Sequence, residues 1–266
     1  MNKKIKFTAF ILVCLLSISA FSFSVFANEQ LNGATAWFFK KTKDHTQPSL
    51  DPRLSFIEKY NCAYVDKTHS SDNSDKVLYL TFDAGYENGN IEKILDAMKG
   101  EGVKGSFFIL ENLINRNTDL VKRMADEGHT ICNHTMKHKD MSRVTEKETL
   151  SKELTALEEL YEKATGYKMS KIYRPPEGRF SELNLLHATE LGYKTVFWSL
   201  AYQDWDNNKQ PTRDYAFNKL LPRTHNGAVV LLHATSETNA KILDELLTAW
   251  ENQGYRFASI DRLFIQ

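Results

Sequence analysis

From Val77 onward, the sequence alternates short apolar runs with segments whose apolar residues recur every three or four positions. The run from Val77 to Phe82 is rich in β-branched and aromatic residues, which is typical of a strand. In the segment that follows, apolar residues from Ile91 to Met98 lie on one helical face. Apolar strands that are each followed by an amphipathic helix predict a parallel sheet covered by helices. With six or seven such repeats, we expect the sheet to close into a barrel.

Capping residues and apolar runs predict where the elements begin and end. Thr145 and Glu148 form a capping box for a helix that is expected to end at Gly166. Ser181 is a second predicted N-cap, and Asn88 is expected to cap the first helix. The predicted strands are 77–82, 103–110, 130–132, 172–173, 193–198, 228–232 and 257–260.

Residues 1–27 have the pattern of an export signal. Three lysines precede an uncharged apolar stretch at 7–26, and Ala27 is a plausible cleavage position. An uncleaved membrane anchor is the alternative, because about 20 apolar residues can span a bilayer. In both cases the working domain is expected outside the cytoplasm, and any membrane contact is expected only through residues 7–26.

Two regions follow the signal. Residues 28–75 combine an aromatic cluster at Trp37 with a polar run, and they predict an irregular arm whose aromatics pack on the main domain. Residues 76–266 contain no linker-like segment and predict one continuous domain. The chain has 34 basic and 34 acidic residues, so no nucleic-acid partner is expected. Cys62 and Cys132, the cysteines after residue 27, form either one disulfide or two buried thiols.

Polar residues capable of catalysis follow the predicted strands one after another. In parallel α/β folds, the chemistry is located at the carboxyl ends of the strands. Side chains from five separate strands should therefore meet at one mouth of the barrel. These residues are Asp83, His134, Arg174, Asp204 and His233.

Taken singly, each of these signals is weak. His134 and His138 are four apart, and on a helical turn they would lie on one face and could share a metal. No HExxH segment supports a metalloprotease helix. The Pro-rich turn after Arg174 is rigid enough to aim this side chain at a carboxylate. Asp83 and Asp204 could equally cap a helix or a turn. His233 could equally be a core histidine whose ring is hydrogen-bonded within the protein.

In this order, the residues resemble the polysaccharide deacetylase family, also called carbohydrate esterase family four or the NodB homology domain. The resemblance covers about residues 75–262. With its continuation Tyr86–Gly89, the first motif is similar to that of a sporulation branch, the muramic-acid de-N-acetylases that lead to δ-lactam in spore cortex peptidoglycan. The five family motifs have counterparts in Thr81–Gly85, His134–His138, Arg174–Gly178, Asp204–Trp205 and Leu231–His233.

The resemblance implies an α/β fold, the family's distorted (β/α) barrel, and a divalent metal ion held by His134 and His138. Zinc is the expected ion. The second aspartate of the first motif, normally a metal ligand in the family, is Ala84 here. Alanine offers no donor atom, so metal binding should be weaker and more positions should be open to water or substrate.

The resemblance also implies roles for the remaining residues. Asp83 would be the general base, with Arg174 as the partner that keeps it ionised. His233 would be the general acid, and Asp204 would orient it. The implied substrate-binding residues are Glu177, whose backbone N–H would bind the oxyanion, and Trp205 and Leu231, which would contact the acetyl methyl group.

The implied reaction removes the N-acetyl group from muramic acid in peptidoglycan. The freed amine would then close a δ-lactam on the lactyl carboxylate. The alternatives are the same chemistry on N-acetylglucosamine of peptidoglycan or chitin-like glycans or on an O-acetyl ester, and a catalytically silent glycan-binding module. We expect a monomer that acts on peptidoglycan glycan strands in the cell wall or the forespore intermembrane space. Candidate partners of the lactyl carboxylate are Lys137, Lys139, Arg179 and Arg213.

Overall fold

Short strands and amphipathic helices alternate through the chain, as the apolar pattern predicts. The computed structural model describes residues 31–70 and 73–264, so the predicted signal at 1–27 lies outside the described residues. In the described part of the chain, no helix is long and apolar enough to cross a membrane. The strands are β1 (Thr35–Ala36), β2 (Cys62–Ala63), β3 (Lys76–Ala84), β4 (Ser106–Ile109), β5 (Thr130–Asn133), β6 (Ile172–Tyr173), β7 (Arg179–Phe180), β8 (Lys194–Val196), β9 (Leu200–Ala201), β10 (Ala228–His233) and β11 (Tyr255–Phe257).

The helices lie between the strands. Two predicted ends are confirmed: Gly166 ends the longest helix in a left-handed conformation with φ 79°, and the Ser181 side chain caps the next helix. Single 3₁₀ segments occupy Pro52–Lys59, Met141–Arg143, Pro176–Gly178, Leu221–Arg223 and Ile260–Phe264. The α-helices are α1 (Ile91–Gly100), α2 (Glu111–Arg116), α3 (Thr118–Asp126), α4 (Lys147–Thr165), α5 (Glu182–Glu190), α6 (Arg213–Leu220) and α7 (Glu237–Asn252).

Nine of the described strands form one curled sheet. Its order is β2–β8–β6–β5–β4–β3–β10–β9, and β11 pairs with β3. The pairings within this sheet are parallel. The curl makes a half-barrel with helices on its outside, so the predicted distorted (β/α) barrel is confirmed. Cys62 and Cys132 are free thiols, which rules out the disulfide alternative.

The central strand β3 places the first catalytic candidate. Its residues are buried on both faces: Leu78, Leu80 and Phe82 belong to the larger apolar core, and Val77 and Tyr79 belong to a smaller one. Such a strand is fixed by packing along its whole length. The position of Asp83 at its carboxyl end is therefore fixed as well.

The N-terminal arm is less irregular than predicted, because it contributes strands. Strand β2 pairs with β8 at the end of the main sheet, and β1 pairs with β7 in a separate two-stranded sheet. Trp37 is buried and stacks on Phe197 with the ring centroids 4.5 Å apart. Its indole N–H donates to the carbonyl of Trp198 at 2.9 Å. The arm thus packs against the end of the main sheet, at the segment that follows β8.

Two predicted caps are wrong. The first turn of α1 is capped by the Glu87 carboxylate, which accepts from the N–H of Gly89 and of Ile91. Asn88 instead donates its side-chain amide to the carbonyl of Thr235 at 2.9 Å. Helix α4 begins at Lys147, after Thr145, and has no side-chain cap at its N-terminus. Local sequence thus predicts a cap at each helix, but Asn88 bonds to another loop and the start of α4 has no side-chain cap.

Candidate active site

The carboxyl ends of the central strands open into a cavity of about 840 Å³. Arg174 and Asp204 lie behind its wall, where they are 0% and 1% exposed. The structure therefore brings all nine predicted site residues to one place. Those that line the cavity directly are Asp83, His134, His138, Glu177, Trp205, Leu231 and His233.

Asp83 is held between a cation and an imidazole. Arg174 Nη1 donates to its Oδ1 at 2.7 Å, and His134 Nε2 lies 3.5 Å from its Oδ2. Burial alone would raise the pKa of Asp83, but the charged groups around it, among them the permanent cation of Arg174, outweigh it and lower the pKa below the ordinary value. The Asp83 carboxylate is thus ionised at neutral pH.

Arg174 is fixed on every side. Its Nε donates to the carbonyl of Val196 at 3.1 Å, and Nη2 donates to Thr81 Oγ1 at 2.9 Å. Its guanidinium lies 3.9 Å from the centroid of the Phe108 ring. With these partners the guanidinium has one orientation, and that orientation faces Asp83.

His134 and His138 come together, although the predicted helical turn between them is wrong. They lie in the loop after β5, where Thr135 and His138 have left-handed φ values of 72° and 54°. The imidazole centroids are 5.1 Å apart, with the rings at 75° to each other. Glu177, on the opposite loop, also has a positive φ of 56°. Two non-glycine residues with left-handed backbone, His138 and Glu177, therefore line one cavity, which is typical of a functional site.

The donor chemistry around His134 fits a divalent metal ion. His134 Nδ1 donates to the carbonyl of Arg174 at 2.9 Å, and burial lowers the pKa of His134 to about 4 despite the charge of Asp83. The ring is therefore neutral, and its Nε2 lone pair faces the Asp83 carboxylate. Two acceptors that face each other across this gap suit a cation. Within the described ranges, no group of three or more His, Cys, Asp or Glu has metal-site geometry.

His233 and Asp204 form a second pair on the other side of Asp83. Asp204 Oδ1 lies 2.8 Å from His233 Nδ1, and its Oδ2 accepts from the His233 backbone N–H at 2.8 Å. Burial alone would lower the pKa of His233, but the charge and hydrogen bond of Asp204 outweigh it and raise the pKa. His233 is directly opposite Asp83 in the β10–β3 register, so the two groups lie on neighbouring strand ends.

The turn after Arg174 leaves no room for side chains at its closing glycine. Gly178 has φ 64°, and a Cβ atom there would lie 2.8 Å from Trp198 and 3.0 Å from Trp37. The Gly178 carbonyl also accepts from the backbone N–H of Trp37 at 2.7 Å. The N-terminal arm thus holds the turn that presents Glu177 to the cavity.

The four cations considered for the lactyl carboxylate are all paired with acids, and none lines the cavity. Among the described residues, no lysine or arginine lines the cavity. The pairs are Lys137 with Glu111, Lys139 with Glu153, Arg179 with Asp140, and Arg213 with Glu245.

Sequence reasoning gave no role at the site to two residues that the structure brings there. Tyr86 is 42% exposed, lines the cavity and shares a hydrogen bond with the Asn207 side chain on a different loop. Asn239, in the first turn of α7, donates to both Asp204 and His233. Tyr86 belongs to the motif continuation and Asn239 to a helix start, but neither signal indicates these contacts, which join loops that are distant in the chain.

Comparison with known proteins places this site in a family. Residues 70–196 match the family model described as polysaccharide deacetylase. Over 240 residues, the chain is 41% identical to the peptidoglycan-N-acetylmuramic acid deacetylase PdaA of Bacillus subtilis strain 168, covering 90% of this chain and 88% of that protein. The chain belongs to the polysaccharide deacetylase family. The predicted family and enzyme class, a hydrolase that deacetylates carbohydrates, are confirmed.

A solved structure of PdaA and one further deacetylase are also similar to this chain. The solved structure of Bacillus subtilis PdaA, described as a family 4 carbohydrate esterase, superposes with a TM-score of 0.81 at 40% identity, covering 87% of this chain and 97% of that one. A peptidoglycan-N-acetylglucosamine deacetylase of Bacillus cereus is 32% identical over 215 residues, covering 79% of this chain and 74% of that protein. The family is generally metal-dependent, which agrees with the donor chemistry of the two imidazoles.

Proposed function

We propose that the protein removes the acetyl group from N-acetylmuramic acid residues of peptidoglycan. The observation that carries this proposal is the pair of neighbouring acid–base groups with opposite pKa shifts. Arg174 helps to lower the pKa of Asp83, and Asp204 raises the pKa of His233. A base and an acid separated in this way are what amide hydrolysis requires at neutral pH. The similarity to PdaA supports muramic acid as the substrate sugar.

In the proposed mechanism, Asp83 takes a proton from the water that attacks the acetyl carbon. The backbone N–H of Glu177 stabilises the tetrahedral oxyanion. His233 donates its proton to the sugar nitrogen as the C–N bond breaks, so acetate and a free amine are released. Trp205, which is 57% exposed, and the buried Leu231 form the wall against the acetyl methyl group.

His134 and His138 would hold the metal ion, for which zinc is our proposal because of the nitrogen donors. When bound there, such an ion would supply Lewis-acid chemistry, which lowers the pKa of water and polarises a carbonyl. Arg174 then has a second role, through its backbone carbonyl, besides keeping Asp83 ionised through its side chain. Its carbonyl fixes the tautomer of His134, so that the nitrogen facing the cavity is the one with the lone pair.

The cavity bears on how a muramic acid would be recognised. Because no lysine or arginine is among the described residues that line it, the lactyl group would have to be bound by neutral donors or by protonated His233. N-acetylglucosamine, which lacks this group, remains the second candidate substrate, and the similarity to the Bacillus cereus enzyme favours it. A silent glycan-binding module is the third candidate, but the complete Asp83–Arg174 and His233–Asp204 pairs argue against it.

We further propose export through residues 1–27, action on glycan strands in the cell wall or forespore intermembrane space, and a role in spore cortex. A peptide-free muramic acid would support that role. Its freed amine can attack the lactyl carboxylate and close a δ-lactam with loss of water.

The test is incubation of the purified protein with peptidoglycan glycans that bear or lack stem peptides, with and without a chelator. Mass spectrometry of the digested strands should show loss of an acetyl group from muramic acid and not from glucosamine. Asp83→Asn should abolish this loss. Acetyl loss from glucosamine alone would replace the first proposal with the second. No loss from either sugar with any divalent ion supplied would favour the silent module.

A further inference from the structure

Helix α7 starts directly after the strand that carries His233, with the sequence Ser236–Asn239. The Ser236 hydroxyl accepts from the backbone N–H of Asn239 at 3.2 Å, which fixes Asn239 in the first helical turn. Asn239 is only 1% exposed. A buried amide at this position must find hydrogen-bond partners within the protein.

Its partners are the acid–base pair itself. Asn239 Nδ2 donates to Asp204 Oδ2 at 2.6 Å and to the carbonyl of His233 at 3.0 Å. Asn239 Oδ1 accepts from the hydroxyl of Tyr202 at 2.5 Å. Because a carboxylate and a carbonyl can only accept, the amide has one possible orientation. One side chain thus joins Asp204, the main chain of His233 and Tyr202.

We propose that Asn239 is a positioning residue that holds the Asp204 carboxylate against His233. The inference rests on the proposed role of His233 as the general acid. With Asn239 present, one Asp204 oxygen faces the His233 ring and the other is held by two N–H donors. Rotation of the carboxylate would break all three hydrogen bonds. Charged groups that face His233 are Asp204, Asp83 and Arg174, so Asn239 acts on the strongest of these contacts.

The chain contains a matched control for this inference. Helix α5 begins with Ser181–Asn184, which repeats the Ser-Glu-x-Asn pattern of Ser236–Asn239. Asn184 is also fully buried, its N–H also donates to the capping serine at 3.1 Å, and its Oδ1 also accepts from a tyrosine, Tyr173, at 3.3 Å. Within the described residues, however, its Nδ2 has no partner. The two asparagines differ mainly in the contact with the carboxylate.

The experiment compares Asn239→Ala with Asn184→Ala, both recovered after expression of the full-length chain. Both variants should lose thermal stability. Only Asn239→Ala should lower kcat, by about 10- to 100-fold as is typical when an orienting partner of a site residue is removed, with KM unchanged because Asn239 does not line the cavity. NMR titration of histidine-labelled protein, with the His233 signal assigned from His233→Gln, should show a lower pKa of His233 in Asn239→Ala alone.

A merely structural role predicts a different result. Equal kcat values and equal His233 titrations in the two variants would overturn the inference. Tyr202→Phe removes only the hydroxyl that orients the Asn239 amide. It should decrease kcat less than Asn239→Ala does and should also lower the pKa of His233. This variant tests the inference if Asn239→Ala does not fold. The titration needs no substrate. An inactive wild-type protein would therefore refute the proposed function while the inference on Asn239 is still decided.

Discussion

The ion pair between Arg174 and Asp83 allows a quantitative test of the site. Arg174 is 0% exposed. Besides the ion pair with Asp83, its guanidinium donates to the carbonyl of Val196 and to the hydroxyl of Thr81. Arg174→Met keeps much of the volume but leaves a buried carboxylate without its cation. Breaking a buried pair in this way costs about 3–5 kcal/mol. For a domain of this size, that corresponds to a decrease in Tm of roughly 6–20 °C.

The matched control is Arg256→Met. Arg256 also makes a two-point contact with an aspartate, Asp75, at 2.7 and 2.5 Å, but the two side chains are 43% and 48% exposed. An exposed pair contributes about 0–1 kcal/mol. Thermal melts followed by circular dichroism at neutral pH measure both variants. If Arg174→Met lowers Tm no more than Arg256→Met does, the burial argument is wrong.

The stability of the two proteins should depend differently on pH. In the wild-type protein the pKa of Asp83 is lowered, so the pair stabilises the fold above the unfolded pKa of aspartate, about 4, and this contribution is lost as pH falls through the folded pKa. In Arg174→Met, burial without the cation raises the pKa of Asp83. The stability difference between the two proteins should therefore shrink on acidification. Adding Asp83→Asn to Arg174→Met should recover part of the lost Tm, because it removes the unpaired charge.

Three further predictions concern the remaining parts of the site. Asp204→Asn removes the charge that raises the pKa of His233, so the alkaline limb of the kcat/KM profile should move to lower pH; an unmoved limb would exclude His233 as the acid. Ala84→Asp should tighten zinc binding at least about 10-fold in equilibrium dialysis, with Ala84→Asn as the uncharged control. Gly178→Ala should cost about 1–3 kcal/mol in denaturant unfolding, because φ is 64° and the new Cβ would meet Trp198 at 2.8 Å; full stability would contradict the packing.

The strand-end rule explains why so much of the site could be predicted. Asp83 and His233 each end an apolar run that reads as a buried strand, and the β10–β3 register places them opposite each other. Sequence spacing also brought His134 and His138 together, but for the wrong reason. Their loop is non-helical. His138 has a left-handed φ, a conformation that residues other than glycine rarely adopt, and no sequence pattern predicts it here.

What could not be predicted depends on contacts between distant segments. Strands β1, β2 and β9 have two residues each, which is too short for any periodicity to appear. Asn88 has the residue type of a helix cap but lies two residues before the N-cap position, Asn90, and its amide donates to the carbonyl of Thr235. Asn239 carries only a helix-start signal, and the side chain of the identical pattern at Asn184 does not touch a catalytic candidate.

The packing of Trp37 has a consequence for how this domain can be divided. The region that matches the family model begins at residue 70, which suggests that the preceding segment is dispensable. Yet removing residues 31–69 would uncover the ring of Phe197 and the Gly178 turn, and it would strip β8 of its neighbour β2. A shortened chain that starts at the family boundary would therefore expose an aromatic surface and an open sheet edge, both of which promote self-association. The boundary of the intact domain therefore has to lie before Trp37.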